Sequence, residues 1–366
     1  MEERKLRVAI THGDTNGVGY ELILKTFDDP MMMELCTPII YGSPKVATYH
    51  RKALNIQTQF SIISSADEAK ENRLNLLATF DDEIKVEMGQ SSDEATEAAR
   101  KALKRAMVDV QQGVADVLVM APDNLPDFLS KEPELLRIRI AEDLRVALIT
   151  NLLAFKDVPE AITKQKIVEK GKIMHTCLRR DLRISNPRIA VLALNPPTGN
   201  EADPWGEEEK EVIIPAIEEL EQAGIQAFGP YATDSFFGNS MYTKFDGVLA
   251  MYYNQGLAPL KTIALDDSIS LVTGLPFVCT IPETSVGYEI AGKGIADERP
   301  CAMLYSQALT CSVTVRITTS QWPTPCQNFI RKSATTARRF ALPYPKPRSQ
   351  RGKKQRKKHN FLPKLQ

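Results

Sequence analysis

The chain has 366 residues, 43% of them hydrophobic and 25% charged, an ordinary globular composition long enough for two domains and unlike a small disulfide scaffold. No apolar run approaches the roughly 18 residues of a membrane span, and the start, Met1-Glu2-Glu3-Arg4-Lys5, lacks a secretory apolar stretch, so a cytoplasmic location is expected. The net charge of zero hides a segregation: residues 300–366 carry 14 Lys and Arg and no Asp or Glu, leaving 32 basic against 46 acidic residues in 1–299.

Along the chain, strand-like and helix-like signals alternate, the pattern of parallel strands covered by crossover helices. Leu6 to Ile10 reads as a buried strand, followed by the turn Gly13-Asp14-Thr15-Asn16-Gly17-Val18-Gly19 and a helix from Tyr20 towards Phe27. Pro38 to Tyr41 suits a second strand. Ser91 and Glu94 have capping-box spacing before a helix over Ala95 to Val110, which Gly113 stops ahead of a strand at Ala115 to Met120. Further strands are expected at Leu144 to Thr150, Arg188 to Leu194, Phe245 to Met251 and Pro276 to Thr280. Helices are expected over Ile162 to Leu182 and over Glu207 to Ala223, the second with an acidic first turn and Gly224 at its end.

The six cysteines, Cys36, Cys177, Cys279, Cys301, Cys311 and Cys326, form no C-x-x-C pair, so neither a zinc site nor a redox motif is implied. Beyond Arg299 the character changes. Leu304 to Thr318 carries β propensity, Pro323, Pro325 and Pro343 break any long element after it, and disorder is expected from about Pro343, with a solvated basic run at 351–359.

A strand, a glycine-rich turn and a helix can together cradle an anion on free backbone N–H groups, or the glycines can simply make a tight turn. Spacing does not choose, since G-x-x-x-G-x-G is not the dinucleotide fingerprint. Read with its neighbours, however, Ile10-Thr11-His12-Gly13-Asp14-Thr15-Asn16-Gly17-Val18-Gly19-Tyr20-Glu21 resembles the opening of the 4-hydroxythreonine-4-phosphate dehydrogenases of vitamin B6 biosynthesis. In order, Ile40-Tyr41-Gly42-Ser43-Pro44, Ala121-Pro122-Asp123-Asn124, Arg145-Val146-Ala147-Leu148-Ile149-Thr150, Ala193-Leu194-Asn195-Pro196, Gly229-Pro230-Tyr231, Met251-Tyr252-Tyr253-Asn254-Gln255-Gly256 and Gly274-Leu275-Pro276 agree with it. The resemblance covers about 7–297.

The resemblance implies a two-domain α/β subunit of the isocitrate dehydrogenase type with an interdomain cleft, working as a homodimer. The first domain would comprise 1–120 plus about 260–299, the second about 121–259 with the dimer region, and 300–366 a basic, largely irregular tail. It further implies NAD and a divalent metal (zinc, magnesium or cobalt), and oxidation with decarboxylation of a small phosphorylated amino acid, 4-phosphohydroxy-L-threonine. No membrane is implied as a partner.

At matching positions the chain departs from the family's chemistry. The three metal-binding histidines are replaced by Leu152, Pro197 and Tyr253, and Asn254 stands for the adjacent acid. Leu125 stands for a lysine, Ser270 for an asparagine, Cys279 for an arginine, and Thr284-Ser285-Val286 for His-Gly-Thr; Lys261 remains as a candidate phosphate contact. Asn195, Asp234 and Gln255 are candidates for the cofactor cleft, at strand ends where open sheets place ligands. His12, Asp14 and Glu21 could touch a ligand, but a turn residue and dipole-matching acids are the plainer reading. His50 and His175 read as structural or solvent-facing on helices, and His359 lies in the tail.

Two further function classes stand beside the family's dehydrogenase: a family fold without catalysis, and a nucleic-acid-associated protein acting through the basic run. Codons can be chosen for Arg299 to Ser320 that read, one base away, as the amphipathic terminal helix typical of the family, so a frameshift near Arg299 is expected to account for the acid-free tail. Loss of that helix would leave an apolar patch bare.

Overall fold

A computed structural model describes residues 4–80, 84–123, 135–200, 202–264 and 268–318, apart from the side chains of 313–318. Among the described residues twelve strands form one sheet. The first are β1 (Arg7–Thr11), β2 (Thr37–Gly42), β3 (Phe60–Ile63), β4 (Leu74–Ala78) and β5 (Val117–Met120). They continue as β6 (Leu136–Ala141), β7 (Leu144–Leu148), β8 (Arg188–Leu192) and β9 (Gln226–Tyr231), then β10 (Gly247–Ala250), β11 (Ile269–Thr273) and β12 (Val278–Pro282).

The spatial order is β3-β4-β2-β1-β5-β12-β11-β6-β7-β10-β8-β9. The outer groups, β3 to β12 on one side and β7 to β9 on the other, pair in parallel. The middle is antiparallel: β12 with β11, β11 with β6 and β6 with β7. The α/β architecture is the one expected from the alternating pattern.

Because side chains alternate along a strand, the sheet sorts its residues onto two faces. One face carries a single apolar core across its whole width, through Val8, Ile10, Val119, Val278, Leu271, Ile138, Ala147, Leu249 and Val191. On the opposite face the core is split. Ala9, Leu118, Cys279 and Val272 belong to one cluster; Val146, Leu148, Val248 and Ala190 belong to another. Between them β6 presents Arg137 and Arg139, with Arg139 in register with both Ser270 and Val146.

Helices close both faces. Helix α1 (Gly19–Thr26) comes directly after the glycine turn, and α2 (Pro30–Leu35) and α3 (Pro44–Ala53) are capped by the side chains of Asp29 and Ser43. Helix α4 (Asp93–Gln111) starts at Ser92, whose side chain accepts from Ala95 N, so Ser92 and not Ser91 is the cap. The short α5 (Val158–Ala161) precedes α6 (Lys164–Arg180), capped by Thr163.

The helix expected over 207–223 divides into a π turn, Glu209–Ile213, and α7 (Ile214–Gln222). Pro215 lacks the N–H that a regular ladder needs at this junction. Helix α8 (Thr233–Gly238) and α9 (Tyr253–Ile263) complete the second half.

The segment after Arg299, expected to open a largely irregular tail with some β propensity, forms a helix, α10 (Arg299–Thr318). Cys301, Leu304, Tyr305, Ala308 and Cys311 are buried at helical spacing, and the Tyr305 ring meets Phe27 edge to face with centroids 5.0 Å apart. Burial along this stripe overrides the β-branched propensity of 313–318. The helix packs on β12 and β5, so the apolar face expected to be bare is covered here. The expectations for Cys326, Pro343 onward and His359 lie outside the described residues.

Candidate functional site

The glycine turn is packed by the protein itself. Gly13 holds φ +71°, and a Cβ there would collide with the Pro122 carbonyl oxygen; one at Gly17 would strike Val286, and one at Gly19 the His12 carbonyl oxygen. Three of its amides donate within the protein: Asp14 N to Pro122 O (3.1 Å), Gly17 N to Asp14 O (3.2 Å) and Val18 N to Val286 O (3.0 Å). The Asp14 carboxylate accepts from Asn16 N at 2.8 Å and from the Tyr288 hydroxyl at 2.7 Å. Of the two readings of this turn, close packing fits the geometry.

His12 lies beneath the turn, fully buried, stacked on Tyr20 at 5.1 Å, with neither ring nitrogen hydrogen-bonded among the described residues. Burial pushes its pKa down to about 4 against a smaller upward pull from the Gly13 backbone. Across Tyr20, His50 Nε2 meets Thr15 O at 2.8 Å. Glu21 accepts from Lys25 Nζ at 2.8 Å and Ala296 N at 2.9 Å, tying α1 to the chain ahead of α10. These groups are used in holding the turn.

A second cluster sits at the C-terminal ends of β8 and β10. Gln255 is buried; its Oε1 accepts from Met251 N at 2.6 Å, and its Nε2 donates to Ala193 O at 2.5 Å and Thr233 Oγ1 at 2.9 Å. One side chain thereby draws together the β8 end, the start of α8 and the start of α9. Asn195 donates to Glu208 Oε2 at 2.9 Å and to Glu209 Oε2 at 3.1 Å. Asp234, beside Thr233, is exposed in the first turn of α8. Asn195, Asp234 and Gln255 thus share one end of the sheet, while Lys261 is exposed in the last turn of α9.

The positions where the resemblance implies metal ligands do not fit a divalent ion. Leu152 offers only hydrocarbon and is 75% exposed, Pro197 has no side-chain donor, and Tyr253 offers a half-buried phenol. Among the described residues no three His, Cys, Asp or Glu side chains are grouped to hold a metal. Burial pushes the Cys279 thiol up to about 12, so it stays protonated and inert.

The sequence reading missed the central polar strip of Arg137, Arg139 and Glu283. Arg137 Nε donates to Ser270 Oγ at 2.7 Å, and its Nη2 pairs with Glu283 Oε1, also at 2.7 Å. The alternation Leu136-Arg137-Ile138-Arg139-Ile140 was the available signal, a half-buried strand with cations on one face.

Comparison with known proteins gives a consistent family. Residues 34–308 match the sequence model of the pyridoxal phosphate biosynthetic protein PdxA family. The 4-hydroxythreonine-4-phosphate dehydrogenase of Bacteroides thetaiotaomicron is 50% identical over 81% of this chain and 86% of its own length. The chain belongs to this family. The same-named enzyme of a Sulfurihydrogenibium species is 33% identical over 80% of this chain and 94% of its own. The crystal structure of a 4-hydroxythreonine-4-phosphate dehydrogenase from Burkholderia phymatum superposes with a TM-score of 0.70 at 26% identity, covering 84% of this chain and 99% of that one.

Relatives and fold thus connect the chain to the 4-hydroxythreonine-4-phosphate dehydrogenases of pyridoxal phosphate biosynthesis, a dehydrogenase family that uses a nicotinamide cofactor. No described helix is long and apolar enough to cross a membrane.

Proposed function

We propose that this chain keeps the family's binding fold for NAD and a phosphorylated amino acid of the 4-phosphohydroxy-L-threonine type but does not turn it over by the family's metal-dependent route. One observation carries the reading: Leu152, Pro197 and Tyr253 stand where the resemblance puts three imidazoles. Oxidising an alcohol beside a carboxylate and then releasing carbon dioxide requires a group that polarises the substrate oxygen throughout. A leucine and a proline side chain supply no such donor, and a neutral phenol is a weak one.

Gln255 and Asn195 shape the proposed cofactor rim indirectly, because their amides are engaged on Ala193, Thr233 and the acidic pair Glu208 and Glu209. Asp234 is exposed at that rim, while Lys261, exposed in the last turn of α9, suits a phosphate as a point charge. A homodimer belongs to the same reading. Leu152 and Phe155 are 75% and 73% exposed, an apolar pair that a second copy would cover. The nucleic-acid reading gains no support from the described residues, since its basic run lies outside them.

Calorimetric titration of the full chain tests the proposal. NAD should give a saturable isotherm, and magnesium or cobalt added to the NAD complex should give none. A saturable one-to-one metal isotherm that tightens with NAD would contradict it.

A further inference from the structure

The charge segregation along the chain has a counterpart on the surface of the body. Helix α7 turns Ala216, Ile217 and Leu220 inward and carries no Lys or Arg of its own. On its outer side Glu218 and Glu221 are exposed, as are Glu207 and Glu211 just ahead of it. No ion pair or hydrogen bond engages these four carboxylates among the described residues, whereas Glu219 pairs with Lys164 at 2.9 Å and Asp203 with Lys210 at 2.7 Å. Like charges three apart on a helix repel, so Glu218 and Glu221 leave this edge uncompensated. Helix α4 differs: the acids of its first turn, Asp93 and Glu94, are followed on the same helix by Arg100, Lys104 and Arg105.

The matching cations belong to the same chain. Residues 319–366 carry 13 Lys and Arg and no Asp or Glu, with Arg351, Lys353, Lys354, Arg356, Lys357 and Lys358 close together. Helix α10 brings the start of this segment to the right side of the body. It packs on α6, and its Cys311 thiol feels the charges of Asp181 and Arg180 at the end of that helix. Helix α6 in turn packs on α7, where Gly171 admits the Leu220 side chain. Packed helices lie about 8–10 Å apart, and the residues from 319 to 350 can span up to about 100 Å, so the connection does not limit the reach. The intervening α6 is the wrong surface for a cationic segment, because Lys164, Lys166, Lys170, Lys172, Arg179 and Arg180 would repel it.

We propose that the basic run at 351–358 docks on the acidic outer side of α7 of its own chain, its lysines and arginines pairing with Glu207, Glu211, Glu218 and Glu221. Exposed ion pairs are individually worth little. The covalent connection, however, holds the two partners at an effective concentration of about a millimolar, so several weak pairs acting together suffice. Salt screens such pairs, and the docked state is lost as ionic strength rises. This contact stands apart from the dehydrogenase reading, because it requires neither NAD nor metal nor substrate.

Zero-length carbodiimide cross-linking of the full chain, freed of nucleic acid and read by peptide mass spectrometry, tests it. At about 20 mM salt the lysines of 351–358 should join Glu211, Glu218 or Glu221, and at about 500 mM the yield should fall about fivefold or more. Dilution should leave the yield unchanged, because the partners are connected. A triple variant, Glu211→Gln with Glu218→Gln and Glu221→Gln, alters only exposed side chains and should fold as the parent does. Trypsin should cut its 351–358 run about fivefold faster than the parent's at low salt and equally fast at high salt. Cross-links spread evenly onto Asp93 and Glu94, a yield that falls with dilution and so reports a second copy, or equal cutting of parent and variant at low salt would overturn the proposal.

Discussion

Replacing Gly13 by alanine demands a positive φ from a residue that resists it and drives a Cβ into the Pro122 carbonyl oxygen. The expected cost is about 2–4 kcal/mol by urea unfolding; a loss under about 1 kcal/mol would show that the turn relaxes freely. His12 makes a pH prediction. Its folded pKa, about 4, lies below the ordinary 6.5, so the unfolded chain binds the proton more readily. Its contribution is therefore present above about pH 6.5 and is lost as pH falls from there towards 4, by up to about 3 kcal/mol. His12→Leu should flatten stability between about pH 7 and 5 relative to the parent; identical pH profiles would contradict this. The sequence showed a glycine turn of family type, but not that Pro122 and Val286, distant in the chain, fill it. Only tertiary contact decides whether such amides face a ligand or a neighbouring carbonyl.

At the scale of elements, two serines separate a local signal from its realisation. Ser92→Ala should cost about 1 kcal/mol by removing the cap on α4, whereas Ser91→Ala should be near neutral; equal effects would return the cap to Ser91. Helix α10 offers a larger test. Tyr305 is 2% exposed against Phe27, so Tyr305→Ala should destabilise the chain by about 3–5 kcal/mol. A change under about 1 kcal/mol would mean that the helix does not seat on the body. Strands with continuous apolar runs, such as β1, β5 and β8, were legible within a residue or two. β6 was not, because its two arginines break the run, and α10 was hidden by a β-branched composition whose helical period emerges only once Leu304, Tyr305 and Ala308 are seen buried together.

For the whole molecule, the alternation of strands and helices exposed the α/β class, and the ordered motifs exposed the family. What stayed illegible is the antiparallel centre, where β12, β11 and β6 join the two parallel groups and carry the polar strip between two cores. The pairings of β11 with β6 and of β12 with β5 link residues more than a hundred positions apart, which no local periodicity reports. The architecture of the 4-hydroxythreonine-4-phosphate dehydrogenases is thus present, with Leu152, Pro197 and Tyr253 at the positions where the resemblance implies metal-binding histidines. The measurement that reaches this claim most directly is NADH formation by the purified full chain supplied with 4-phosphohydroxy-L-threonine, NAD and, in turn, zinc, magnesium and cobalt. No metal-dependent rate above the protein-free control is expected. NADH formation that rises saturably with metal, and is abolished by a chelator, would contradict it.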